Sequence, residues 1–190
     1  KECNEIYRAA MLHDLGKISI PDSLLLKPNK LNETEYNLIK EHVQLGYEVL
    51  NKIPLFEEIS EMIYCHHERI DGSGYPNGLK KDQIPIKANI IAIADTFDAM
   101  TTSRIYQKSR TVEAALNTIE SLSGIHYIEE IVEAAMIVLK EIKINIGTTQ
   151  LPKNRFEEER FAYFYKDNLT QVYNDKYLDL TLKKNSFDFA

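Results

Sequence analysis

Apolar residues recur every three to four positions along most of this 190-residue chain, and this helical periodicity limits its folds more than any other feature. No sustained run alternates apolar and polar residues between hairpin turns, as half-buried strands do. Hydrophobic residues make up 44% of the chain and charged residues 27%, so a buried core can form. The sequence therefore predicts an all-α protein with a core of packed helices.

Residues that cap or stop helices mark the predicted helix ends. Asn32 followed by Glu35 has the capping-box spacing and predicts a helix that runs to about Leu50. Three glycines and a proline in residues 71–78 exclude a helix there and predict a structured loop. The predicted helices cover residues 6–14, 21–26, 32–50, 56–68, 85–100, 111–122, 128–142 and 156–166, followed by a segment over 167–182.

Several titratable side chains are predicted to face the core. In helix 32–50, an apolar stripe of Leu38, Leu45, Val49 and Leu50 turns His42 inward, because His42 lies one turn after Leu38. Cys65 is expected to be a buried thiol. The other inward candidates lie on or at the ends of apolar helix faces: His13, Asp14, His66, His67 and Asp95.

Burying this many ionisable groups without partners is costly, and a bound metal would remove the cost. Imidazole and carboxylate together suit zinc, iron or manganese, and more than four such ligands indicate two ions that share a carboxylate. Each residue also has a plainer interpretation when taken singly. His42 could be a hydrogen-bonded core histidine, and Asp95 could form a buried salt bridge with a lysine or arginine. Their joint occurrence favours a metal site.

Charge and cysteine content exclude other classes of protein. With 23 basic and 29 acidic residues the net charge is −6, which argues against binding of a nucleic-acid polymer. No apolar stretch approaches the roughly 20 residues of a membrane helix, and no signal peptide is visible. Cys3 and Cys65 lack CxxC spacing and fit a reducing cytosol. We therefore expect a cytoplasmic protein without membrane contact in this chain and, because residue 1 is Lys1, part of a longer protein.

Motifs between Tyr7 and Ala135 occur in a characteristic order and spacing. They include His13-Asp14, the pair His66-His67 and the loop Gly74-Tyr75-Pro76, within segments 13–18, 20–21, 27–31, 66–79, 84–85 and 94–101. In order and spacing, this series resembles the HD-GYP family. A lone His-Asp pair would carry little weight, whereas the complete series is specific.

The resemblance implies an HD-type helical bundle around two or three divalent metal ions, iron or manganese or else zinc. It implies hydrolysis of the bacterial second messenger cyclic di-GMP to pGpG or GMP. Asp14 would bridge two ions and, with Lys17, would serve catalysis. By position, the residues that match the metal ligands of the family are His13, Asp14, His42, His66, His67 and Asp95.

The resemblance also implies a substrate side of the site. Lys17 and Arg104 match residues that contact phosphate, and Lys108 lies beside Gln107, where the family often has a basic residue. Gly74, Tyr75 and Pro76 match the loop that shapes the pocket. Tyr75 would offer an aromatic face and a hydroxyl to guanine, or else would pack the loop.

The chain departs from the family pattern at several points. An upstream histidine ligand, joined by a glutamate in trinuclear members, has no counterpart here. Residues 124–129 lack the usual Phe-Asp-Pro, so His126 is expected to be a surface or packing residue. Residues 165–177 resemble the opening of a GGDEF domain, with a helical hairpin as the alternative. The predicted division is 1–145 for an N-terminally incomplete HD-GYP domain, 146–166 for a linker helix and 167–190 for the GGDEF-like start or helical tail.

The leading hypothesis is a metal-dependent cyclic di-GMP phosphodiesterase, joined in the parent protein to sensory and GGDEF-like domains and able to form a homodimer. One alternative is a non-catalytic receptor or scaffold that binds cyclic dinucleotides. Another is an HD phosphohydrolase for a different cyclic nucleotide, such as cyclic GMP-AMP.

Overall fold

The structure is a computed structural model that describes residues 1–25, 27, 30–102 and 109–142. Within these residues no strand is present, so the all-α prediction is confirmed. The predicted segments 146–166 and 167–190, and the candidate residues Arg104 and Lys108, lie outside the described residues. The helices are α1 (Glu2–Leu12), α2 (Asp22–Leu25), α3 (Glu33–Leu50), α4 (Glu57–Tyr64), α5 (Ile86–Thr101), α6 (Val112–Ser121) and α7 (Glu129–Lys140), with 3-10 turns at Leu15–Ser19, Pro54–Phe56 and Lys81–Gln83.

The predicted capping box at the start of α3 is confirmed. The Asn32 side chain accepts a hydrogen bond from the Glu35 N–H, and the Glu35 carboxylate accepts one from the Asn32 N–H, both at 2.9 Å. Glu35 also pairs with Lys27, whose ammonium contacts both carboxylate oxygens. Because orphan N–H groups of the first turn are satisfied in this way, the start of the longest helix is fixed by its own sequence.

The two helices that lead into candidate ligands, α1 and α4, end earlier than predicted. The first stops at Leu12 rather than Asp14, and α4 stops at Tyr64 rather than Glu68. After Leu12 the chain must leave the helix because Gly16 packs directly on α3, where a Cβ at Gly16 would overlap the carbonyl oxygen of His42. Because α4 ends at Tyr64, His66 and His67 lie in a turn beyond this helix.

The predicted apolar stripe of α3 is partly wrong. Leu38 and Val49 are about half exposed, at 51% and 50%. The buried face instead consists of His42, Val43, Gly46 and Leu50. This face is chosen by tertiary packing, since α3 lies against α4 and against the 3-10 turn Leu15–Ser19, where Gly16 and Gly46 let the two backbones approach. The prediction that His42 points inward is nevertheless confirmed, at 1% exposed.

Three apolar clusters of buried residues form the core of the described part of the chain, and α5 contributes to each of them. None of the described helices is long and apolar enough to cross a membrane. On α5, Asp95 lies between Ile93 and Phe97, two buried residues of one cluster, so the packing of these residues fixes the position of the carboxylate along the helix. The first cluster contains Ala9, Leu50, Ile59, Met62, Ile63 and Ile91; the second contains Ala92, Ile93, Phe97, Met100, Ala115, Leu116, Ile119, Tyr127 and Val132; the third contains Cys65, Ile84 and Ala88.

Candidate metal centre

Four parts of the chain bring the predicted ligands together. The segment just after α1 supplies His13 and Asp14, the middle of α3 supplies His42, the turn after α4 supplies His66 and His67, and α5 supplies Asp95. The imidazole rings lie close to one another, with centroids 4.0 Å apart for His66 and His67 and 5.3 Å apart for His42 and His67. Residues far apart in the sequence thus share one site.

Three histidines are oriented by their own backbone. In each, Nδ1 lies at hydrogen-bonding distance from the carbonyl oxygen three residues earlier. A carbonyl can only accept, so Nδ1 carries the proton and Nε2 keeps a free lone pair directed away from that carbonyl. This is the arrangement in which a second hydrogen bond fixes the tautomer of a metal-binding imidazole. The pairs are His13 with Ala10 at 2.7 Å, His42 with Ile39 at 2.6 Å and His66 with Ile63 at 2.5 Å.

The atoms that face one another across the cluster lack hydrogen-bond partners. Nε2 of His42, Nε2 of His66 and Oδ1 of Asp14 are all buried and unsatisfied. Leaving a buried acceptor unpaired costs about 1–3 kcal/mol, and structures rarely tolerate several such atoms in one place. All three atoms are electron-pair donors, so a divalent cation would satisfy them together. The donor set therefore fits a metal.

The donors fall into two groups that share His66. Ligand atoms of His42, His66 and His67 lie within 4.8 Å of one another, as do those of His13, Asp14 and His66. The two oxygens of Asp14 face different histidines, with Oδ1 3.4 Å from His42 Nε2 and Oδ2 3.5 Å from His13 Nε2. Asp14 therefore contacts a histidine of each group.

The electrostatics keep most of the imidazoles neutral. Burial lowers the pKa of His66 to about 4, and burial likewise lowers the pKa of His42 and His67. His13 differs: burial opposes its protonation, but the nearby carboxylates of Asp95 and Asp14 outweigh burial and raise its pKa. Because metal ligands must be unprotonated, three of the four histidines are ready to bind near neutral pH.

Asp95 is held by a histidine. Its Oδ1 lies 3.6 Å from His13 Nε2, and no lysine or arginine among the described residues lies within 4.0 Å of it. Burial alone would raise the pKa of Asp95, but the interaction with His13 outweighs burial and lowers it. The simple buried salt bridge considered as an alternative is therefore absent from the described residues. Lys17, by contrast, is bound to the cluster, with Nζ 2.6 Å from Asp14 Oδ2.

The loop 71–78 packs against one side of the histidine cluster through Tyr75. The Tyr75 ring stacks on His67, with centroids 4.7 Å apart and planes 25° from parallel. Gly74 packs on the backbone of Glu68 and Arg69 so closely that no Cβ could fit, and Pro76 is exposed. The candidate Tyr75 thus contacts a candidate ligand directly, and one face of its ring is covered by that contact.

Glu68 organises this loop, a role that the sequence analysis missed. Its side chain is 0% exposed, and its carboxylate accepts hydrogen bonds from the Asn77 N–H at 2.7 Å and the Leu79 N–H at 2.9 Å. The only signal in the sequence is an acidic residue between a histidine pair and a glycine-rich loop. His126 lies apart from the cluster as expected, with Nε2 3.8 Å from Asp71 Oδ2.

Comparisons with known proteins find a matching family and named relatives. Residues 1–131 match the family model described as HD domain. The chain is 48% identical over 140 residues to a cyclic di-GMP phosphodiesterase of Thermotoga maritima, covering 73% of this chain and 38% of that protein. It is 43% identical over 134 residues to the 3'3'-cGAMP-specific phosphodiesterase 2 of Vibrio cholerae, covering 70% of this chain and 26% of that protein.

The fold is also found among solved structures. A crystal structure of a cyclic GMP-AMP specific phosphodiesterase from V. cholerae superimposes with a TM-score of 0.52 at 18% identity, covering 93% of this chain and 46% of that chain. The chain spans less than half the length of each of these relatives. The family match, the relatives and the Gly74-Tyr75-Pro76 loop beside the histidine cluster lead to one assignment: the chain belongs to the HD domain family, in its HD-GYP group.

Proposed function

We propose that this chain is a metal-dependent phosphodiesterase that hydrolyses cyclic di-GMP to pGpG or GMP. The observation that carries the proposal is a cluster of buried atoms that can bind metal and lack hydrogen-bond partners. Two of these atoms are Nε2 of His42 and of His66, in which a backbone carbonyl at Nδ1 fixes the tautomer of the ring. The Thermotoga relative, named for this activity, supports the choice of substrate.

In this proposal the six clustered residues hold two divalent ions. Imidazole and carboxylate donors suit iron or manganese, and zinc is the alternative. Such ions, when bound, supply a nucleophilic water at neutral pH and neutralise charge on a phosphodiester. Asp14, whose oxygens face His13 and His42, and Asp95, which lies beside His13, would supply the carboxylate ligands.

Lys17 provides a positive charge at the edge of the cluster. Its ammonium is bound to Asp14 Oδ2 and about one third exposed, so one of its three donors can reach a phosphate oxygen while another stays on the carboxylate. We assign Arg104 and Lys108 to phosphate contacts from their positions in the sequence. Gly74, Tyr75 and Pro76 would form the substrate side, with Tyr75 holding the orientation of His67.

A second substrate is 3'3'-cGAMP, because a relative 43% identical to the chain is named for it. Both molecules contain two phosphodiesters and at least one guanine, so the same metal site would serve either. The ratio of kcat/KM for the two substrates, measured on the purified protein, decides between them.

The test measures bound metal and turnover together. Protein loaded anaerobically with manganese or ferrous iron should hydrolyse cyclic di-GMP, and His66→Ala or Asp14→Ala should lose both metal and activity. His126→Ala is the matched control, since His126 lies outside the cluster and should leave both intact. Full metal content in Asp14→Ala would refute the bridging role. Tight binding without turnover would instead favour the non-catalytic receptor.

We also propose the domain organisation. Residues 1–145 form the phosphodiesterase unit, 146–166 a linker helix, and 167–190 the start of a GGDEF-like domain or a helical tail within a longer, sensory protein. Limited proteolysis followed by mass spectrometry should cut between about residues 146 and 166. Cuts confined to residues before 140 would contradict this division.

A further inference from the structure

Lys40 differs from Lys17, Lys27 and Lys87, three other partly buried lysines, in having no carboxylate partner among the described residues. Lys17, Lys27 and Lys87 each hold a carboxylate at 2.5–2.7 Å. Lys40, on α3, is half-buried, yet no carboxylate oxygen of the described residues lies within 4.0 Å of its Nζ, and its hydrogen bond goes to Asn37 Oδ1 at 3.3 Å. A partly desolvated ammonium with neutral neighbours has donors to spare for an external acceptor.

The ammonium group of Lys40 lies next to two tyrosine rings. Nζ of Lys40 lies 4.6 Å from the centroid of Tyr36 and 5.4 Å from that of Tyr75. Tyr36 is one helical turn before Lys40 on the same face of α3, and the residue is 46% exposed. Tyr75 stacks on His67, a member of the proposed metal site. The ammonium therefore lies one ring away from the proposed reaction centre.

The chemistry of this patch suits a nucleobase better than a phosphate. The faces of aromatic rings carry negative potential, which attracts an ammonium and disfavours a phosphate placed over them. A flat base can stack on an exposed ring and present its edge to the cation beside it. Guanine offers two adjacent acceptors, O6 and N7, on that edge, whereas adenine offers N7 beside an amino donor. An ammonium, which only donates, distinguishes the two.

We propose that Lys40, with Tyr36 and Tyr75, forms a base subsite that selects guanine over adenine in the cyclic dinucleotide. The proposal rests on the proposed phosphodiesterase function and adds the residue that sets its base preference.

The test compares substrates that differ only in their bases. In Lys40→Met, kcat/KM for cyclic di-GMP should fall roughly tenfold, while that for cyclic di-AMP stays within about twofold, so the guanine preference disappears. Lys40→Arg, which keeps the donors, should retain the preference. Lys52→Met is the matched control, because Lys52 is an exposed lysine just beyond the end of α3, and it should behave as the wild type. Bis(p-nitrophenyl) phosphate, a phosphodiester without bases, should be hydrolysed equally by all four proteins.

Other outcomes would overturn the proposal. An equal loss for both cyclic dinucleotides in Lys40→Met would mean that Lys40 serves phosphate or structure, and no loss would mean that it does not contact substrate. Calorimetric titration with GMP and AMP separates this proposal from the proposed function. If the wild type prefers GMP through Lys40 but hydrolyses no cyclic dinucleotide, the subsite stands and the substrate assignment fails. If hydrolysis proceeds and GMP and AMP bind equally, the subsite fails alone.

Discussion

The buried carboxylate of Glu68 provides the sharpest test of how the loop beside the proposed metal site is held in place. Glu68→Gln preserves the shape of the side chain and removes its charge. In the structure both oxygens accept backbone N–H groups, from Asn77 at 2.7 Å and Leu79 at 2.9 Å. The amide keeps one acceptor and turns the other position into a donor, which then faces an N–H group.

The expected loss of stability follows from these two contacts. A hydrogen bond to a charged group contributes about 1.5–3 kcal/mol, and a buried N–H left unpaired adds to the loss. Replacing one acceptor by a donor should therefore lower the free energy of unfolding by about 2–3 kcal/mol. Since about 1 kcal/mol lowers Tm by roughly 2–4 °C in a protein of this size, Tm should fall by about 5–10 °C.

Urea unfolding followed by far-UV circular dichroism measures this change, since the chain contains no tryptophan for a fluorescence assay. Glu61→Gln is the control, because Glu61 is an exposed glutamate on α4 and should shift the midpoint little. Equal urea midpoints for Glu68→Gln and the wild type would refute the role assigned to the carboxylate. A reduced m-value would point instead to a change in the unfolded or native ensemble.

Three further predictions concern the turn after α1, the thiols and the titration of the site. Gly16→Ala should lower the free energy of unfolding by about 3 kcal/mol or more and reduce the amount of bound metal, because the new Cβ would lie 2.6 Å from the amide nitrogen of Gly46. Equal stability of the variant and the wild type would contradict this close packing. At pH 8, DTNB should label the exposed Cys3 rapidly and leave Cys65 unreacted until urea is added, because burial raises the pKa of Cys65 to about 11. Because the pKa of His13 is raised, His13 is partly protonated near pH 6.5, so metal binding at this pH should release a proton and should weaken as the pH falls. Calorimetry in buffers of different ionisation enthalpy measures the proton release, and its absence would contradict the prediction.

Local sequence signals predicted the fold well where the structure depends on neighbouring residues. The capping box of Asn32 and Glu35 is one such signal, and the start of α3 is correct. Leu38 and Val49 were predicted to be buried and are not, because periodicity shows that a helix has an apolar side but tertiary packing selects which residues face the core. Here the selection depends on Gly16, which lies on a different element.

The site was predictable only through a combination of signals. Helical periodicity identified His42 and Asp95 as candidates, because each lies on the apolar face of its helix. Spacing along the chain, however, does not reveal that Asp14 contacts His42, which lies 28 positions later. The family resemblance supplied that grouping. Glu68 was missed because a buried carboxylate and an exposed one look alike in sequence, and its hydrogen-bond donors come from a loop whose path only the fold determines.

The orientation of the ligands and their assembly are controlled by different interactions. Each Nδ1 contact joins a histidine to the carbonyl three residues earlier, so orientation is encoded within a single turn of chain. Bringing Asp14 to His42, in contrast, requires the glycine contact between the 3-10 turn and α3. Damage to that contact should therefore separate the two halves of the site while each histidine keeps its tautomer. We therefore expect Gly16→Ala to weaken metal binding although it changes none of the candidate ligands.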